Sequence, residues 1–171
     1  MKLSSHEEYG VRCLLRIGFA GEGSSVTIPE ISQAEGVSTA YTAKLLRILR
    51  RGGFVKSARG KDGGYQLARP AEQIVIGDVI DELGGRFFQS DFCNQHAGQM
   101  PVCANSVDCS VRSLWRALQV VVDEVLHKTT LQDLMRNEHE MNSWVKTLPA
   151  PKLVELRRTL TTEPQPLTSE P

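Results

Sequence analysis

The sequence predicts a mostly α-helical fold carrying one small β-hairpin, and three observations predict it. Apolar residues recur at helical spacing through residues 5–20, 38–51 and 110–135. Ser, Thr and Gly stand where those helices have to start and stop. Between the helical stretches, "FVKSARG" and "GGYQLAR" alternate around "GKDGG", the pattern of a hairpin with a glycine-rich tip.

The first helix is capped by Ser4 or Ser5, carries Glu7 and Glu8 in its first turn, and puts Tyr9, Cys13 and Ile17 on one face. "GEGSS" ends it. A short helix follows in "VTIPEISQAEG", with Thr27 as N-cap, Pro29 in the first turn and Gly36 at the end. Ser38 caps a third helix that runs to Gly52-Gly53, with Leu45, Leu46 and Leu49 inward and Lys44, Arg47, Arg50 and Arg51 outward. A short helix, a tight turn and a longer basic helix make the layout of a helix-turn-helix, and the hairpin after it is a wing. The fold class is therefore a winged helix-turn-helix domain with a long additional helix. That helix, "SVRSLWRALQVVVDEVLHKTTLQDLM", repeats Leu114, Leu118, Val121, Val122, Val125 and Leu126 along one stripe. Such a stripe on a small chain predicts a two-fold homodimer, with packing inside the chain as the alternative. The expected organisation is a DNA-binding domain over residues 1–85, a cysteine-containing loop over 86–110, the dimerisation helix over 111–136, and an extension over 137–171. The extension is expected to hold a helix around Trp144 and to end in a disordered, proline-rich tail.

The 171 residues have a formal net charge of zero, but the charge is segregated. Lys44 to Arg69 holds eight basic residues and one acid, whereas Glu72 to Glu140 holds eleven acids and five Lys or Arg. A basic face of this kind is an electrostatic footprint for phosphate, and for the charge run alone a solvated helix face is the ordinary alternative. No apolar run is long enough for a transmembrane helix, and the N-terminus lacks a signal segment, so a cytoplasmic location is expected. No nucleophile–base pair or phosphate loop stands out, so the chain does not read as an enzyme.

Three of the four cysteines, Cys93, Cys103 and Cys109, stand in one stretch, separated by nine and then five residues. Cys13 is explained as a core thiol. A reducing compartment disfavours disulfides, and the spacing suits structural zinc poorly. Iron–sulfur clusters tolerate varied spacing and one non-cysteine ligand. Three neighbouring cysteines without any metal remain the alternative.

"YGVRCLLRIG", "IPEISQAEGVSTAYTAKLLRILRRGGFVKSARGKDGGYQLAR" and "IVIGDVIDELGG", followed by the cysteine trio, resemble the Rrf-two superfamily of winged-helix regulators. The group includes iron–sulfur, nitric-oxide and iron-responsive regulators of the IscR, NsrR and RirA type. The resemblance implies a homodimeric transcriptional regulator, such as a repressor, whose DNA affinity follows a two-iron or four-iron cluster sensing redox state, nitric oxide or iron. It implies Cys93, Cys103 and Cys109 as cluster ligands, although the first gap is longer than the family's usual one. IscR-like members place a His three residues after the last cysteine, where this chain has Arg112. NsrR-like members use an N-terminal carboxylate from the other protomer, which corresponds to Glu8; His6 and His96 are the runners-up, and an ion pair with Arg12 is the ordinary role for Glu8. A regulator of the same fold acting by thiol oxidation or a protein partner is the main alternative, and an electron-transfer protein is a more distant one.

The DNA partner is expected to be a double-stranded, pseudo-palindromic operator. Ser38, Thr39, Tyr41, Thr42 and Lys44 stand at the start of the recognition helix, with Thr42 and Lys44 as base readers and Ser38 and Tyr41 on phosphate. Arg59 is the expected minor-groove residue, supported on the wing by Lys61 and Tyr65. Arg47, Arg50 and Arg51 add salt-screened attraction.

Overall fold

The computed structural model describes residues 4–58, 63–86, 88 and 92–148. The chain divides into two compact units, Met1–Phe87 with Asp123–Leu148, and Phe88–Val122 with Pro149–Pro171.

In the first unit, α1 (Ser5–Phe19), α2 (Ile28–Glu35) and α3 (Thr39–Arg51) follow Ser4, Thr27 and Ser38, and at the last two the N-cap side chain satisfies a first-turn backbone donor. The Glu7 carboxylate accepts from the Ser4 N–H at 2.6 Å. Thr27 and Glu30 form a reciprocal capping box on α2, and the Thr27 N–H holds the Glu30 carboxyl below its ordinary range. Ser38 Oγ accepts from the Tyr41 N–H at 3.2 Å to start α3. Gly36, with φ of 67°, turns the chain between α2 and α3 in the left-handed region.

The three helices bury Cys13, Leu14, Ile17, Ile31, Leu45, Leu46 and Leu49 around one core. Truncating one of these leucines to alanine costs about 2–5 kcal/mol in comparable cores. Phe54 and Val55 extend that core toward the hairpin. Strands β1 (Val55–Ala58) and β2 (Gly64–Leu67) pair antiparallel, with Lys56 opposite Gln66 and Ser57 opposite Tyr65. Tyr65 also exchanges two backbone bonds with Val26, at 3.0 and 2.8 Å, so the hairpin is tied to the segment before α2. Gly64 permits this approach, because a Cβ there would lie 2.6 Å from the Val26 carbonyl oxygen.

A 3-10 turn at Ala71–Gln73 leads to α4 (Ile76–Leu83). The long helix expected over 110–135 is instead α6 (Ser110–Lys128) and a separate short α7 (Leu131–Leu134). The break lies at Thr129-Thr130. Thr129 Oγ1 donates back to the Val125 carbonyl at 2.8 Å, and Thr130 caps α7. The freed backbone is used at once: Ile76 N–H donates to the Thr129 carbonyl and Leu131 N–H to the Ile74 carbonyl, both at 2.8 Å. Leu131 is thereby buried in the first core. The helix expected near Trp144 is α8 (Glu138–Val145), with the Arg136 guanidinium over the Trp144 ring. The expected disordered tail lies outside the described residues.

In the second unit, the short α5 (Phe92–Gln95) and the first turns of α6 bracket a stretch of turns. Gln119, buried on α6, accepts from the Phe88 N–H at 2.7 Å. The Phe88, Phe92 and His96 rings pack in sequence, the last two stacked at 4.0 Å. No helix among the described residues is long and apolar enough to cross a membrane.

Candidate nucleic-acid interface and cysteine site

The start of α3 presents Ser38, Thr39 and Lys44 to solvent. Tyr41 is half-buried; its ring meets the edges of His6 and Tyr9, and its hydroxyl donates to Ser5 Oγ at 3.3 Å. The recognition helix is thus buttressed by the first turns of α1.

Thr42 corrects the expectation of a base reader. Its side chain is 0% exposed, and Oγ1 donates to the Ser38 carbonyl at 3.1 Å. It lies three and four residues before Leu45 and Leu46 and belongs to the same inward face. Lys44, Arg47 and Arg50 are exposed, whereas the Arg51 guanidinium is engaged by Glu82 at 2.7 Å. Tyr65 is half-buried on β2. Arg59 and Lys61 lie outside the described residues.

One relationship that short-range pattern did not reveal fixes the helix-turn-helix to α1. The Glu35 carboxylate, at the end of α2, takes Arg12 Nε at 2.7 Å and Arg16 at 3.2 Å. Its side chain is only 6% exposed. The Glu35 hydrogen bond and charge raise the Arg12 pKa further above its ordinary value. The available signal was an Arg pair at i, i+4 on α1 facing a charged residue on the neighbouring helix.

Cys93 sits on α5, Cys103 in a turn closed by the Ser106 N–H, and Cys109 immediately before α6. All three are free and partly buried. Cys109 is placed as an N-cap: its Sγ accepts from the Arg112 N–H at 3.4 Å, and its carbonyl from the Ser113 N–H at 3.2 Å. Arg112, at the position of the IscR-like histidine, turns its guanidinium to the Ser106 carbonyl at 2.9 Å. The described residues contain no group of three or more His, Cys, Asp or Glu arranged to hold a metal ion. Glu8 is exposed on α1 in the first unit and pairs with Arg12 at 3.7 Å. Of the runners-up, His6 packs on Tyr41 and His96 stacks on Phe92.

The sequence model of the Rrf2 family, described as an iron-dependent transcriptional regulator, matches residues 3–137. The chain belongs to the Rrf2 family. It is similar to the protein named rrf2 of Nitratidesulfovibrio vulgaris, at 37% identity over 137 residues covering 80% of this chain and 89% of that one. Among solved structures, the Rrf2 fold is shared with T. potens IscR at 28% identity and a TM-score of 0.62, over 91% of this chain and 96% of that one. It is shared also with the oxidized form of Staphylococcus aureus CymR at 29% identity and a TM-score of 0.60, over 80% and 98%. An Rrf2 protein is a transcriptional regulator that acts on DNA; it is not an enzyme. The helical bundle with its two-stranded hairpin is accordingly a winged helix-turn-helix.

Proposed function

We propose that this Rrf2 regulator is a homodimer whose affinity for a pseudo-palindromic operator is switched by an iron–sulfur cluster. Cys93, Cys103 and Cys109 hold the cluster in this reading, and Glu8 of the second subunit supplies the fourth ligand. The observation that carries it is Cys109 at the head of α6, its sulfur already an acceptor for the Arg112 N–H, with two further free thiols in the same unit. The donor set fits: soft thiolates are the ligands such clusters take. When bound, the cluster supplies a centre that reacts with oxidants and nitric oxide.

The residues of the chain do the rest. Cys109 links ligation to the first turn of α6, so a change at its sulfur acts on that helix. Val111, Leu114, Leu118 and Val125 leave an apolar stripe on α6 that is 55, 54, 41 and 40% exposed, which a second copy of α6 would cover. Ser38, Thr39, Tyr41 and Lys44 of each recognition helix meet one major groove, and Arg59, Lys61 and Tyr65 serve the wing.

Anaerobic purification tests the proposal. The expected product is brown, contains iron and sulfide, and bleaches on Cys103→Ala substitution, with operator affinity changing on exposure to air or nitric oxide. A colourless wild-type protein without iron would sink it.

A second reading has its own support in the ungathered cysteines and in the likeness to the oxidized form of CymR. In it, oxidation of the Cys93, Cys103 or Cys109 thiols switches DNA affinity with no cluster. A colourless protein whose operator binding changes with peroxide and recovers with thiol reductant would establish that reading instead.

A further inference from the structure

A cavity of about 420 Å³ opens in the first unit between the loop after α1, the wing strands and α7. None of the residues assigned above to the recognition helix, the wing contacts or the cysteine site lines it, although Lys56 and Arg69 belong to the basic stretch. Its size lies within the range of roughly 300–1,000 Å³ typical of small-molecule sites.

Four ionisable side chains line it: Lys56 and Arg69 against Glu22 and Glu72. Their formal charges cancel. The Arg69 guanidinium stands 5.1 Å from the centre of the Phe54 ring, and its buried Nε–H has no hydrogen-bond partner among the described residues. An unpaired buried donor on a cation is costly. That nitrogen is sealed from solvent, so an occupant satisfies it only by drawing the Arg69 side chain toward the cavity it lines. The rim is fastened rather than loose: the Gln66 amide donates to the Gly23 carbonyl at 2.9 Å, strapping the loop after α1 to the wing.

We propose that this cavity binds a small zwitterion of the α-amino acid class. Its carboxylate pairs with Arg69 and Lys56, and its ammonium with Glu22 or Glu72. A simple anion would face the two glutamates uncompensated, and a simple amine the two basic groups. Lys56 and Gln66 are direct partners across the hairpin, so an occupant touches both wing strands. Occupancy therefore changes DNA affinity through the wing, with or without a cluster at the cysteines.

Calorimetric titration of the full chain with each common amino acid, and with propionate, propylamine and inorganic phosphate, tests this. At least one amino acid saturates one site per chain, and its Kd rises by about tenfold or more in Arg69→Gln and in Gln132→Trp. Gln132 lines the cavity from an exposed position, so its replacement fills the site without disturbing the core, and it decides the matter alone if the Arg69 variant does not fold. The Arg69 Nε–H resonance shifts on saturation. The proposal is overturned if no amino acid saturates below about 10 mM. It is overturned equally if propionate or phosphate binds as tightly as the best amino acid, or if the folded variants bind unchanged.

Discussion

Arg12 Nε donates to the Glu35 carboxylate at 2.7 Å across 23 residues of sequence, joining the first helix to the helix before the recognition turn. The glutamate is nearly buried while the arginine is about half exposed, so removing the acid leaves the cation free to hydrate. Glu35→Gln should therefore lower stability modestly, by about 1 kcal/mol, and a double-mutant cycle with Arg12→Gln should show positive coupling. Urea denaturation of the four proteins measures it; additive effects would mean that the pair does not hold the helices together.

Thr42 and Lys44 should separate cleanly. Thr42→Val keeps the buried shape and loses one hydrogen bond, costing about 1 kcal/mol of stability with sequence preference on DNA unchanged. Lys44→Ala should leave stability intact and weaken binding, lowering the magnitude of the salt slope by about 1 if it contacts phosphate. Fluorescence anisotropy over a salt series, on operator and on scrambled DNA, distinguishes the two.

Gly85 packs so closely on Glu7 that a Cβ there would collide with the carboxylate and its Cδ and Cγ. Moving that side chain also breaks its bond to the Ser4 N–H at the start of α1. Gly85→Ala is expected to destabilise the chain by about 1–3 kcal/mol, seen as a lower thermal midpoint. Gly84→Gln would test a different effect, backbone strain, since its φ is 99°.

Burial pushes the Cys13 thiol up to about 12 from an ordinary 9.0. The folded chain thus favours the neutral thiol, whereas the unfolded chain ionises near the ordinary value. The resulting stabilisation is complete below pH 9.0 and is lost as pH rises toward about 12. Stability of the wild type should fall more steeply over that window than that of Cys13→Ala. At neutral pH, in the native chain freed of any cluster, Cys13 should resist iodoacetamide while Cys93, Cys103 and Cys109 react; mass spectrometry of the labelled chain reads this directly.

Much of the fold was legible because its signals are local. Thr27, Gly36 and Ser38 act within a turn of their own position, and the structure uses each as expected. Thr42 was misread although the period was present: it stands at the helical offset of Leu45 and Leu46, and a polar side chain on that face drew attention to DNA. The α6–α7 break was hidden for the converse reason. Leu131 and Leu134 continue the apolar rhythm past Thr129 and Thr130, and only the backbone pairing with residues 74–76 shows why the helix stops. At the cysteines, residue type and spacing marked the stretch, but their mutual placement is a tertiary property that spacing cannot encode. The Glu35 fork and the unpaired Arg69 Nε are tertiary in the same sense.

Tyr65 bonds to Val26 on one side and lies opposite Ser57 on the other, so the base of the wing is continuous with the lead-in to α2. In the proposed reading, recognition helix and wing then meet the duplex as two jaws on one frame, as a gauge meets a gap. Inserting one base pair between the major-groove step and the wing's step moves the second contact by about 3.4 Å and turns it around the duplex axis. If the tied base of the hairpin does not follow, operator spacing is a criterion of recognition in its own right, alongside the bases themselves.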